Sequence, residues 1–218
     1  AALQVLEDEP ASQQDIMPLL LQAQLLQSMG RSKEALPLLE DGLELHPQDK
    51  RLRLAYARLL IEQGRMEDAR AEFTLLLQQN PEDDDLRLSL ALIYMDDQAW
   101  SEAQAYLRDL IERDAHVDIA HFNLGLIDEQ LNDHDGALIE YSLVGPGDQY
   151  LAAQAQQTAL LLSLQRPADA RQRLAEARTD QPGYAVQLYM LEVESLATKQ
   201  YNDLAWQAAQ QSLQQTTH

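Results

Sequence analysis

The apolar positions of this chain fall into paired stretches of helical spacing. RLRLAYARLLIE, residues 51–62, and EDARAEFTLLLQQ, residues 67–79, predict two amphipathic helices. Gly64 lies between them and suits a left-handed turn that closes the first. Pro81 ends the second, because the residue before a proline resists helix. The same phrase occurs twice. Residues 30–47, GRSKEALPLLEDGLELHP, and residues 64–81, GRMEDARAEFTLLLQQNP, both open on Gly-Arg, carry Ala at the sixth position and end on Pro.

The phrase recurs with a fixed period. Ala35, Ala69, Ala103 and Ala137 follow one another in steps of 34, and Ala170 and Ala205 continue the series in steps of 33 and 35. Pro182 closes a later copy and Pro10 a truncated first one. Ala57, Ala91 and Gly125 fall where the first helix of a copy crosses the second, and only a small side chain lets the two backbones approach there. Ala35, Ala69, Ala103 and Ala137 do the same from the second helix. Tyr56, Leu60 and Phe73 fill the space around the crossing, and Ser101 in WSEA is the expected N-cap of its second helix.

A period of 34 with small residues at fixed slots resembles the tetratricopeptide repeat (TPR). The resemblance implies an all-α protein, a TPR α-solenoid in which antiparallel helix pairs stack into a right-handed superhelix. It predicts one solenoid over 1–218, with repeats at about 16–49, 50–83, 84–117, 118–150, 151–184 and 185–218. Residues 1–15, opening AALQVLEDEP, read as the end of a preceding repeat, so the chain is expected to be part of something longer. The pattern loosens after 145, where GPGDQY interrupts it. Thr158 and Glu192 stand near the small-residue slot, and Gln98, Asn132, Gln165 and Gln200 replace the glycine between helices. These departures leave the register after 145 open.

Composition narrows the function. Apolar residues make up 45% of the chain, enough to bury a core, and the formal charge is −20. Such a chain repels phosphate backbones and anionic lipid, so no nucleic-acid partner is expected. Cysteine is absent, which removes disulfides, thiolate metal sites and cysteine nucleophiles. No run of about 18 apolar residues occurs, so no direct membrane insertion by this segment is expected.

Stacked repeats leave a groove lined by their first helices, and in a TPR the second, fifth, ninth and twelfth residues of each copy point into it. In copy one these are Met17, Leu20, Gln24 and Gln27. In copy two they are Arg51, Leu54, Arg58 and Ile61. In copy three they are Asp85, Leu88, Leu92 and Met95, and in copy four Ile119, Phe122, Leu126 and Glu129. The result is an apolar floor with charge at its ends, either a surface suited to a protein or peptide partner or one covered by adjacent helices or another part of a longer superhelix. The TPR subtype that grips a partner's terminal carboxylate carries Lys and Asn at the fifth and ninth positions. Here those slots hold Leu54 with Arg58 and Leu88 with Leu92, so that clamp is absent.

Other constellations read as structural. DAHVDIAHFN groups His116, Asp118 and His121, but His116 precedes the helix and no metal-ligand spacing occurs. His46, His134 and His218 are isolated. PEDDD at 81–85 lacks the calcium-loop pattern and starts a helix, where the dipole favours acids. Arg51 and Arg58 in KRLRLAYAR either pair with nearby carboxylates or hold an acidic stretch of a partner. GPGD lacks the GK[ST] of a phosphate loop. Neither a nucleophile elbow nor a cofactor motif is present, and no enzyme activity is expected.

Residues 19–73 and 86–114 further resemble the multi-TPR lipoproteins of Pseudomonas-type bacteria, which are similar to the outer-membrane lipoprotein that binds and activates a periplasmic carboxy-terminal processing protease. That resemblance implies a non-catalytic adaptor in the periplasm, tethered to the outer membrane by an upstream lipid anchor, which partners such a protease and its substrates. The alternatives are a cytoplasmic assembly or regulatory scaffold, and accessory repeats of an enzyme whose catalytic domain lies elsewhere. Self-association through an unfilled solenoid end is a further expectation.

Overall fold

The computed structural model describes residues 16–216, with side chains described through residue 213. The preceding-repeat fragment at 1–15, including Pro10, and His218 lie outside them. The described chain is helical, and it divides between Tyr106 and Leu107 into two compact units. In order, the helices are α1 (Met17–Ser28), α2 (Ser32–Leu45), α3 (Lys50–Glu62), α4 (Met66–Gln79), α5 (Asp84–Asp96), α6 (Trp100–Glu112), α7 (Val117–Gln130), α8 (His134–Ser142), α9 (Tyr150–Ser163), α10 (Pro167–Asp180), α11 (Ala185–Thr198) and α12 (Asn202–Thr216). A 3-10 turn at Pro182–Tyr184 precedes α11.

One turn closes the first helix of every pair. Gly30 and Gly64 adopt φ of +71°, and Gln98, Asn132, Gln165 and Gln200 adopt the same left-handed conformation with φ between 57° and 64°. At each, two hydrogen bonds close the helix end. At Gly64, for example, the Gly64 N–H donates to the Ile61 carbonyl and the Arg65 N–H to the Leu60 carbonyl. Gln98 and Ala99 repeat this with Met95 and Tyr94, and Gln200 and Tyr201 with Ala197 and Leu196. Gln and Asn tolerate the conformation less well than glycine, but the two-bond closure holds them in it. The turn also corrects one expectation. Ser101 is not an N-cap, because the Gln98–Ala99 turn already delivers a helical Trp100, and Ser101 sits inside the first turn of α6.

The second helices end on a different device. His46, Asn80 and Gln181 precede prolines and take φ near −130° with ψ of 64–72°, outside the helical region. The chain then turns into the next first helix, whose cap is Asp49 or Asp83. The Asp49 carboxylate accepts from the N–H groups of Arg51 and Leu52, and Asp83 accepts from Leu86 N–H and from the Lys50 ammonium. Arg53 and Arg87, 34 residues apart, donate to the carbonyls of Pro47 and Pro81 and so clasp each turn.

Burial alone raises the Asp83 carboxyl pKa, but the Lys50 ammonium and the Leu86 N–H outweigh it and hold the value below the ordinary range. A lowered folded pKa contributes stability that is present above the ordinary carboxylate pKa and is lost as pH falls through the folded value. Asp83→Ala is therefore expected to cost about 1 kcal/mol at neutral pH, shrinking as the pH is lowered through the carboxylate range. Urea unfolding at a series of pH values measures this, and a pH-independent cost would refute it.

The core follows the repeat. Ala35, Ala57, Ala69, Ala91, Ala103 and Ala137 are fully buried. In the first unit Ala57, Phe73, Leu76, Leu86, Leu90 and Ile93 form one cluster across α3, α4 and α5. In the second unit Ala137, Tyr141, Val144, Ala153 and Leu160 form another. The two departures at the small-residue slot are buried as well. Thr158 satisfies its hydroxyl on the Gln154 carbonyl, and Glu192 meets two arginines of α10. α8 is only nine residues long, and past its end the Asp118 carboxylate accepts the Gly145 N–H at 2.7 Å, pinning the GPGD loop to α7.

Candidate functional site

Within the first unit, α3 and α5 run as the first helices of successive repeats, with α4 between them in the chain. Between the three lies an apolar cavity of about 390 Å³. Ile61 from α3, Met66 and Phe73 from α4, and Leu92 and Ile93 from α5 supply its walls. Phe73 and Ile93 are buried in the repeat core, whereas Leu92 is 44% exposed and marks the mouth. Helical spacing explains the grouping. Arg58 and Ile61 are three apart on one helix, and Ser89, Leu92, Ile93 and Asp96 fall on one face of the other.

The rim carries two opposite charges. Arg58 and Asp96 both border the cavity, and neither makes a side-chain hydrogen bond or ion pair with another of the described residues. Most arginines nearby are engaged. Arg53 pairs with Glu72, Arg70 with Asp97 and Arg87 with Asp84. Arg51 lies 3.4 Å from Asp49 and is taken up by that cap. Of the two arginines singled out in KRLRLAYAR, the structure leaves Arg58 available.

The cavity brings together Arg58, Ile61 and Leu92 of the expected groove residues. It does not include the others. Leu54 packs against the core cluster of α3, α4 and α5, and Leu88 and Met95 lie half-buried along α5. Ile119, Phe122 and Leu126 belong to the second unit. Phe122 and Leu126 pack there against the Ala137–Tyr141 cluster, with the Phe122 ring 6.0 Å from that of Tyr141. Met66, Ser89, Ile93 and Asp96 fall outside the repeat's groove positions. Asp96, at the end of α5 and four residues after Leu92, is the one that helical spacing alone signals.

The histidine constellation separates in space. His121 Nδ1 lies 2.7 Å from Glu140 Oε2, Asp118 holds Gly145, and His116 adopts a left-handed φ of 49° ahead of α7. Among the described residues no group of three His, Cys, Asp or Glu side chains could hold a metal ion. Among the same residues no helix is long and apolar enough to cross a membrane.

Known proteins share this architecture. A crystal structure of a tetratricopeptide repeat protein from Parabacteroides merdae aligns over 98% of this chain and 84% of its own, with a TM-score of 0.66 and 18% identity. YrrB, a TPR protein with an unusual peptide-binding site, aligns over 92% of this chain and 98% of its own, with a TM-score of 0.60 and 20% identity. At such identities the likeness concerns the fold. In sequence, the chain is 66% identical over 214 residues to the TPR repeat-containing protein PA4667 of Pseudomonas aeruginosa. The match takes in 98% of this chain and spans 36% of that relative's length. Tetratricopeptide-repeat models match residues 26–76 and 88–150, more than half of the chain between them, and the chain belongs to the tetratricopeptide-repeat proteins.

Proposed function

We propose that this chain is a non-catalytic scaffold that seats an apolar side chain of a partner polypeptide in the cavity between α3, α4 and α5. The observation that carries the reading is an open apolar cavity whose rim holds an arginine and an aspartate with no side-chain partner among the described residues. Apolar floor supplies affinity, and the two charges orient the peptide that crosses it. The likeness to the multi-TPR lipoproteins extends the proposal. The partner is a periplasmic carboxy-terminal processing protease or a substrate passed to it, and the protein acts at the outer membrane, where an upstream lipid anchor holds it.

A photo-crosslinking residue at Leu92 in the native cell tests both layers. Capture of an envelope protease or its substrates supports the proposal, and Leu92→Glu is expected to reduce that capture at least about tenfold, the loss of one desolvated apolar anchor. Cross-links confined to the chain itself would sink the cavity as a binding site. A cytoplasmic partner would keep the scaffold and reject the periplasmic assignment.

A further inference from the structure

A cleft opens in the second unit between α8 and α10, with α9 as its floor. It has two lobes, of about 360 and 230 Å³, and Gln157, Arg173 and Glu176 line both. Its origin is local. α8 stops at Ser142 after nine residues, where its counterparts α4 and α10 run for 14. Past that early end, Val144 and Pro146 of the loop supply the wall.

The fifth repeat departs from the others here in three linked slots. The first-helix slot four residues before the small residue holds Arg53, Arg87 and His121 in the second to fourth repeats, and Gln154 in the fifth. The fold partners the earlier three. Arg53 meets Glu72, Arg87 meets Asp84 and His121 meets Glu140. Gln154 lines the cleft at 8% exposure, and its amide bonds no other described residue. The second-helix slot of Glu72 and Glu140 is Arg173 in the fifth repeat. A guanidinium thus stands where those pairs place their carboxylate, and it makes no side-chain bond to another described residue. In the third slot, Tyr56, Leu90 and Leu124 give way to Gln157, 3% exposed. Its Nε2 donates to the Leu138 carbonyl, and its Oε1 accepts from no other described residue. Buried amides left without partners cost stability, so packing alone does not account for glutamine in these slots.

We infer that this cleft is a second binding site, which takes an extended peptide segment and holds one of its acidic side chains on Arg173. The ligand carboxylate replaces the one that the repeat supplies from within in the second and fourth copies, and a charge-assisted bond to the guanidinium is the strong kind. Gln154 Nε2 and Gln157 Oε1 offer a donor and an acceptor to the main chain on either side of that residue. Arg173 lies where the two lobes meet, so a segment filling both lobes presents a side chain to it rather than its end. The acids of the lining do not cancel the guanidinium. Asp169 pairs with Arg166, Glu176 accepts from Gln172, and Asp180 is seven residues further along α10, roughly 10 Å away. The site stands apart from the α3–α5 cavity and does not rest on that reading.

The test immobilises the intact chain and challenges it with pentapeptide pools randomised at every position but the central one. With both ends blocked, the Glu-centred pool is expected to be retained at least about tenfold more than the Gln-centred pool, the worth of one charge-assisted hydrogen bond. Arg173→Gln should abolish that preference, and Leu92→Glu, at the other cavity, should leave it unchanged. Arg173→Glu should retain a Lys-centred pool instead, a gain that an unfolded variant cannot show. Gln157→Leu, which restores the residue of positions 90 and 124, should lower retention of the Glu-centred pool several-fold without lowering the urea midpoint. Equal retention of the two blocked pools overturns the inference. So does a Glu preference that survives Arg173→Gln or is lost in Leu92→Glu. A Gln-centred pool with free C-termini retained above the blocked Glu-centred pool assigns the carboxylate to a chain end and overturns the side-chain reading.

Discussion

Gly125→Ala is expected to destabilise the second unit by about 1–3 kcal/mol, the cost of overpacking a filled core. A Cβ built on Gly125 falls 2.5 Å from Tyr141 Cε1 and under 3 Å from two further ring atoms. Tyr141 cannot swing aside, because it is fully buried and its hydroxyl donates to Glu129 Oε1. Burial, and then the Glu129 carboxylate, push the Tyr141 pKa far above the ordinary phenol value, so the donor stays protonated throughout the accessible pH range. The first unit holds the control. There the same pair of slots is filled by Ala57 and Phe73, both buried in one cluster. An aromatic ring and an alanine therefore coexist when no hydroxyl draws the ring across. Adding Tyr141→Phe to Gly125→Ala should recover part of the loss. Urea unfolding followed by circular dichroism measures both, and strictly additive costs would show that the Glu129 bond does not place the ring.

That pair shows how the chain can be read and where reading stops. The small residue at 125 was legible from its register with Ala57 and Ala91, because a helix crossing imposes the same steric demand in every copy. The left-handed turns were legible at Gly30 and Gly64 but not at Gln98, Asn132, Gln165 and Gln200. There the two-bond closure overrides a side chain that does not advertise the conformation. The clasp of Arg53 and Arg87 on the proline carbonyls was hidden for the opposite reason. An arginine on a helix reads as a solvated charge until the fold brings a turn within reach. The cavity was half legible. Position numbers supplied Arg58, Ile61 and Leu92, but they could not tell which groove residues open to a space and which, like Phe122, pack on their own neighbours.

Glu192 is the sharpest departure from the pattern, and its replacement carries the largest expected effect. The repeat register asks for alanine or glycine there, so Glu192→Ala restores the family's preferred residue. It is nevertheless expected to destabilise the second unit by about 3 kcal/mol. Glu192 is 1% exposed, and its two oxygens meet Arg171 Nε at 2.9 Å and Arg178 Nη1 at 2.6 Å. Both arginines come from α10, so the carboxylate ties α11 to the pair before it. Arg178 is 11% exposed and lies 4.0 Å over the Tyr189 ring, which leaves it little water to turn to once its partner is gone. Arg171, at 23%, can recover part of its hydration, which keeps the cost at the lower end of that for breaking a buried pair, about 3–5 kcal/mol. The desolvation of three charges also means that the triad is a poor source of net stability compared with an apolar core. Converting all three residues together, Glu192→Ala with Arg171→Leu and Arg178→Leu, should therefore lie much closer to the unmodified protein than Glu192→Ala alone. Urea unfolding gives the two free energies, and hydrogen exchange on α10 and α11 assigns the loss to this interface. Should the single change prove neutral or stabilising, the slot would obey the repeat register after all, and the arginines would be holding α11 through contacts other than this carboxylate.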